Sequence, residues 1–194
     1  MGKREFPKLH FYDHDLTGVY DYTFNRLKGF WKRGTSENGL QPKYFSYPDA
    51  ESINQFEAIL ATFFLVYSNR VFPVLSLIDN FYHKQEPDGA IRGEYDIKEG
   101  KPILTRKNPE GVLPPLFAWA EYNIYHKIGL KKRVREIMPI LERYFTWVEQ
   151  VYRQENGLYA VPLAATVMTN SPRQEAKYPI DFNTQVAINA LYMS

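Results

Sequence analysis

The sequence predicts an all-α protein built from stacked helical hairpins. Apolar residues recur every three or four positions through most of the chain, the period of one helix face. Connections alternate between short turns and long polar loops. Hydrophobic residues make up 44% of the chain, enough to bury a sizeable core, and little of it shows the two-residue alternation of strands.

The first helix carries Leu16, Tyr20, Phe24, Leu27 and Trp31, with Asp15 as its cap and Gly34 as its stop. A loop rich in Gly, Asn, Pro and Ser follows over residues 34–48. The second helix begins near Asp49, and its stripe is Phe56, Ile59, Leu60, Phe63, Phe64 and Tyr67. A third follows Ser68 and Asn69, with Val71, Val74, Leu75, Ile78 and Tyr82 on one face. Pro73 falls in its first turn, where the missing N–H costs no hydrogen bond.

Gln85-Glu86-Pro87-Asp88-Gly89 signals a turn. Residues 90–112 read as a polar loop with a short hairpin over 91–97. Pro114-Pro115 opens a fourth helix with Leu116, Trp119, Ala120, Ile124 and Ile128, ended by Gly129. The fifth spans 131–154 on Ile137, Leu141, Tyr144, Val148 and Val151, and Asn156-Gly157 stops it. After a long connection over 158–179, a last helix starts near Asn183 or Thr184, with Val186, Ala190 and Leu191 inward. It carries no stop signal before Ser194, which predicts that the fold continues beyond this segment.

Composition excludes several function classes. The net charge is +2, and the short basic run Lys131-Lys132-Arg133 with Arg135 reads as a solvated helix face. No basic stripe of the kind nucleic acids need is present. No run approaches the length of a membrane span. The N-terminal residues Met1 to Pro7 lack the apolar core of a signal peptide, which leaves the cytoplasm, or export after removal of a signal, both open. With no cysteine there is no disulfide, thiolate metal site or thiol nucleophile. His10 and His14 have the spacing for a metal only on a helix, and their neighbours read as irregular, so no metal or other cofactor is expected. The 15 Tyr, 13 Phe and 3 Trp supply rings for a core and for stacking on sugar faces. Loops this long that are not low in complexity are usually functional, so the site is expected among them.

Several loop segments resemble one family in order along the chain. Gln85-Glu86-Pro87-Asp88-Gly89-Ala90-Ile91-Arg92 resembles its "Q-x-x-D-G-x-I" loop, and Leu113-Pro114-Pro115-Leu116-Phe117-Ala118-Trp119-Ala120 its "Q-P-P-L-x-A-x-A" helix start. Asn156-Gly157-Leu158-Tyr159 is similar to its "D-G-L", Thr169-Asn170-Ser171-Pro172-Arg173 to its "D-N-S-P-R", and Pro179-Ile180-Asp181-Phe182-Asn183 to its "V-D-L-N". The family is that of six-hairpin glycosidases, nearest to glycoside hydrolase family 63 with the mannosylglycerate hydrolases, and more distantly the trehalases and glucoamylases. The resemblance implies a partial (α/α)6 toroid, with residues 1–194 a single domain forming the N-terminal half of the catalytic toroid. It also implies α-linked glycosides as substrates and an inverting mechanism with two carboxylic residues.

The resemblance breaks where the chemistry should be. The family's acid, the Asp of "D-N-S-P-R", corresponds to Thr169, whose hydroxyl cannot act as a general acid near neutral pH. Its base lies beyond Ser194. Glu175 is the carboxylate nearest the displaced acid and a candidate to replace it. The Gln before Pro-Pro is Leu113, and the family's Trp-Asp corresponds to Phe56-Glu57. Glu57 is a sugar-hydroxyl ligand or a surface glutamate at a helix end. Arg173 is a fork of donors or a structural arginine, and Asn170 shapes its loop or touches substrate. Asp181 caps the last helix or orients ligand. Asp88 and Glu94 bind or are solvated. Two functions stand beside each other: a glycosidase-like enzyme completed by a missing half, and a carbohydrate-binding or scaffold domain that has lost catalysis. A helical-repeat interaction protein ranks last, since no fixed-period self-similarity is present. Half a toroid would also expose apolar helix faces and self-associate.

Overall fold

The computed structural model describes residues 8–168, 172 and 176–194. Among these, six α-helices and two short two-stranded ribbons make up the regular structure, so the protein is all-α as its periodicity predicts. Helix α1 (His14–Leu27) begins on Asp13 rather than Asp15: the Asp13 carboxylate accepts from the N–H groups of Asp15 and Leu16 at 2.9 and 3.2 Å. It stops at Leu27 because the chain beyond is claimed by other partners. Trp31 and Lys32 (β1) pair with Tyr44 and Phe45 (β2), and the Trp31 ring stacks on Phe72 at 5.1 Å. Leu27 is the buried residue of α1, and Leu16 lies exposed.

Helix α2 (Gln55–Leu65) starts later than Asp49, since Ser52–Asn54 (β3) is drawn into antiparallel pairing with Glu94–Asp96 (β4). Asn54 then caps it, accepting from Phe56 and Glu57 N–H groups at 2.9 and 3.3 Å. The hairpin expected over 91–97 forms a few residues later, where Tyr95 bridges antiparallel to Pro102, and its first arm also pairs with the distant strand β3. Leu60, Phe64 and Tyr67 are exposed, while Ala58, Ile59, Thr62 and Leu65 are buried, so the inward stripe is offset from the one expected. Helix α3 (Ser76–His83) begins beyond Pro73, whose carbonyl receives Ser76 Oγ at 2.7 Å.

The next hairpin follows the sequence closely. Helix α4 (Phe117–Ile128) ends at Gly129, left-handed at φ 75°, where glycine avoids a Cβ penalty. Leu130 then leads into α5 (Lys131–Tyr152). Helix α6 (Ile180–Met193) starts before Asn183. Its buried residues are Phe182, Val186 and Asn189; Ala190 and Leu191, expected inward, point to solvent. Asn189 sets that phase by accepting the first-turn N–H of Trp119 at 3.1 Å and so capping α4 from outside.

These contacts arrange the helices in two layers. Helices α2, α4 and α6 run parallel: Phe63 meets Trp119 at 4.3 Å, Lys127 lies over the Tyr67 ring, and Tyr122 meets Tyr192 at 4.6 Å. Antiparallel α3 and α5 cover one side of this layer, and Phe81, Tyr82 and Tyr144 close on the fully buried ring of Phe117. Arg133 corrects the solvated reading of the basic run. It is largely buried between Glu121 and Asp79, bonded to both at 2.7–2.8 Å, while Lys131, Lys132 and Arg135 remain exposed.

Candidate functional site

The parallel inner helices bring their N-terminal ends, and the long loops before them, to one end of the bundle. Gln55 at the start of α2 donates its Nε2 to the carbonyl of Pro114, just before α4, at 2.9 Å. Lys84 bridges the carbonyls of Asn38 and Gly100 at 2.9 and 2.8 Å, tying the first long loop to the second. Asn183 in the first turn of α6 clamps the Tyr159 backbone, accepting its N–H at 2.8 Å and donating to its carbonyl at 3.1 Å. The segments around Leu113–Ala120, Asn156–Tyr159 and Pro179–Asn183 are thus gathered there.

Strand pairing decides which carboxylates meet. The β3–β4 ribbon sets Asn54 opposite Glu94, and Glu57 follows in the first turn of α2. Burial and then the negative charge of Glu94 raise the Glu57 carboxyl above its ordinary pKa. Tyr47 joins them, its hydroxyl pushed up by burial and then by Glu57. Glu94 is oriented by Ser52, whose Oγ donates to it at 2.5 Å. Two carboxylates with a tyrosine hydroxyl beside them supply acceptors and a donor that suit binding of a polyol oxygen. Tyr47 has no signal in the sequence, because nothing local links residue 47 to residues 57 and 94.

Beneath this end lies a polar floor. Gln55 Oε1 and Tyr152 OH are buried with no hydrogen-bond partner among the described residues, and the Tyr144 hydroxyl is buried beside the Gln55 amide. Burial raises both Tyr144 and Tyr152, and Tyr95 above them is pushed up to about 12. Arg92 walls the floor, held by Glu86 at 2.9 and 2.5 Å and by Glu110 at 2.8 Å, with its guanidinium 5.4 Å from the Trp147 ring centre.

Asp88 stands apart. Its carboxylate accepts from Ala90 N–H at 3.0 Å in a turn packed on α5, where Gln85 also bonds the Ile140 carbonyl at 2.9 Å. Asp181 is partly buried inside the first turn of α6, beyond the Pro179 cap, so it complements the helix dipole and does not cap. Thr169, Asn170, Arg173 and Glu175 lie outside the described residues. A concavity of about 800 Å³ opens at the other end beside Arg70, Pro73 and Leu130, away from these carboxylates. No helix among the described residues is long and apolar enough to cross a membrane.

No family model matches the chain. A relative from Borreliella burgdorferi, an uncharacterized protein, is 40% identical over 195 residues, which is all of this chain and 41% of that protein. A solved structure of an uncharacterized conserved protein from Thermus thermophilus superposes with a TM-score of 0.52 at 17% identity, over 87% of this chain and 47% of its own. The glycoside hydrolase family 63 mannosylglycerate hydrolase of the same organism, solved with glucose, gives a TM-score of 0.49 at 14% identity, over 89% and 49%. The chain therefore shares its fold with the uncharacterized Thermus protein of TM-score 0.52, and spans less than half the length of the relatives it matches.

Proposed function

We propose that residues 1–194 are the N-terminal half of an (α/α)6 glycosidase-like catalytic domain acting on α-linked glycosides. The observation that carries this reading is the ordered set of family-like segments, several of which converge on the end where Glu57, Glu94 and Tyr47 cluster. In an inverting reaction, an acid protonates the glycosidic oxygen while a base activates water on the opposite face of the sugar. Thr169 cannot supply that proton, so Glu175 is the acid in this reading and the base comes from the other half. Glu57 and Asp181 hold sugar hydroxyls, with Asp88, Asn170 and Arg173 in the surrounding loops.

A second reading is favoured by Thr169 itself: a carbohydrate-binding or scaffold domain without catalysis. One experiment separates the two. Residues 1–194 are joined to the remaining segment of the Borreliella relative and assayed for sugar release from a panel of α-glucosides and α-mannosides. Turnover lost on Glu175→Gln supports the enzyme. No turnover, restored by Thr169→Asp, supports the degenerate domain. No turnover and no sugar binding by either protein would sink both.

A further inference from the structure

The tetrapeptide Glu-Asn-Gly-Leu occurs twice in the chain, at Glu37-Asn38-Gly39-Leu40 and at Glu155-Asn156-Gly157-Leu158. Both copies form the same local turn. Each asparagine side-chain oxygen accepts the N–H two residues on, from Leu40 at 3.0 Å and from Leu158 at 3.0 Å. Each glycine is left-handed, at φ 59° and 80°, and its N–H is bonded backwards to the Thr35 and Gln154 carbonyls at 3.0 and 2.8 Å. Glycine has no Cβ to shield its amide nitrogen. That nitrogen can attack the side-chain amide carbon of the asparagine before it, an intramolecular reaction favoured by proximity.

The two copies differ in what the tertiary structure does to them. Asn38 is 4% exposed and held on every polar atom of its side chain. Its Oδ1 also takes the Thr35 N–H at 2.9 Å, its Nδ2 donates to the distant Ile97 carbonyl at 2.8 Å, and its own carbonyl receives Lys84 at 2.9 Å. Ring closure there must break these contacts inside a closed site. Asn156 is exposed just beyond α5, and its Nδ2 has no partner among the described residues. We propose that Asn156 is a site of spontaneous deamidation, from which the fold protects Asn38. The Gly157 amide nitrogen gives up its proton and bonds to Asn156 Cγ. The Cγ–Nδ2 bond breaks, and Nδ2 leaves with that proton as ammonia. Water then opens the cyclic imide at either carbonyl, to aspartate or to isoaspartate. Isoaspartate adds a carbon to the backbone of a turn whose register is fixed, with Gln154 N–H on the Leu158 carbonyl at 2.9 Å and Arg153 bridged to Tyr159. The longer turn loosens the grip of Asn183 on the Tyr159 backbone, the contact that ties this loop to α6. None of this depends on carbohydrate chemistry.

The repeated tetrapeptide supplies its own control, because the adjoining residues match. The protein is incubated at mildly alkaline pH, folded in buffer and unfolded in guanidinium chloride. Aspartate and isoaspartate at positions 38 and 156 are counted over time by peptide mass spectrometry. In guanidinium chloride the two sites should react at similar rates. In buffer Asn156 should react about tenfold or more faster than Asn38, as for a buried site reached only by local opening. Equal rates in buffer overturn the proposal. So does an Asn156 that stays intact in buffer yet reacts when unfolded, and so does a difference that persists in guanidinium chloride, which would place its origin outside the fold. Hydrogen exchange reads the consequence. The Tyr159 N–H should exchange about tenfold or more faster in the isoaspartyl fraction. Asn156→Asp, which carries the charge on an ordinary backbone, should match the parent. Unchanged exchange in the isoaspartyl fraction overturns the loosening of α6.

Discussion

Replacing Arg133 by leucine should cost more stability than any other single change in the outer layer. The guanidinium donates to both Glu121 oxygens, from Nε at 2.8 Å and Nη2 at 2.7 Å, and Nη2 also reaches Asp79 at 2.8 Å. Its side chain is 11% exposed and that of Glu121 is 8%. Leucine fills much of the volume but leaves the Glu121 carboxylate buried, with the Tyr82 hydroxyl, which donates to it at 3.0 Å, as its remaining side-chain partner among the described residues. An uncompensated buried charge of this kind costs about 3–5 kcal/mol. With an m value of about 2 kcal/mol/M in urea, the unfolding midpoint falls by about 2 M. Asp79, more exposed, can rehydrate and adds less. Arg133→Leu combined with Glu121→Leu removes both buried charges and should recover more than half of the loss. Arg133→Lys, a point charge without the fork, should fall between. Urea titrations followed by circular dichroism measure all of these. A single-variant loss under about 1 kcal/mol, or a double variant equal to the sum of its singles, would refute the reasoning.

Two further outcomes follow from local geometry. Gly89 is left-handed at φ 99°, and a Cβ there would lie 2.5 Å from the Arg143 carbonyl oxygen, on the backbone of α5. Gly89→Ala should therefore cost about 1–3 kcal/mol, a fall in Tm of about 4–8 °C for a mid-range value; an unchanged melting curve would contradict it. Glu57 titrates higher in the fold than in the unfolded chain because of burial and Glu94. The native state thus holds that proton more tightly, and the repulsion penalises the fold as pH rises through the folded pKa of Glu57. Glu94→Gln should lower the Glu57 pKa and stabilise the protein more at pH 7 than at pH 4, with the difference reduced in high salt. Carboxyl carbon NMR and urea titration at the two pH values test this, and an unmoved Glu57 titration would show that Glu94 is not its neighbour.

The helices whose burial depends on local periodicity were the legible ones. In α4 and α5, Ile124, Ile137, Leu141, Tyr144 and Val148 are buried as their spacing predicts, and Gly129 ends α4 through its own φ. Where a distant partner competes, local pattern misleads. Trp31 continues the apolar spacing of α1, yet pairs with Phe45 and stacks on Phe72. Asp49 looks like a helix start, yet the strand at 52–54 intervenes because residues 94–96 lie beside it. Arg133 sits in a run of solvated cations, and only the approach of α3 and α4 makes it a buried one.

For the site, the sequence by itself determined the helical class, the loops that hold the family-like segments, and a threonine, Thr169, where the resemblance leads one to expect an acid. These depend on residue type and short spacing, which a linear reading contains. Tertiary structure alone decided that Glu57 and Glu94 face one another beside Tyr47, that Asp181 lies inside a helix turn, and that α2 and α6 each keep an apolar side open. Each of those depends on strand register or on the rotation of one helix against another. Such rotations are set by packing between residues far apart in the chain, as when Asn189 takes the N–H of Trp119 and turns Leu191 outward.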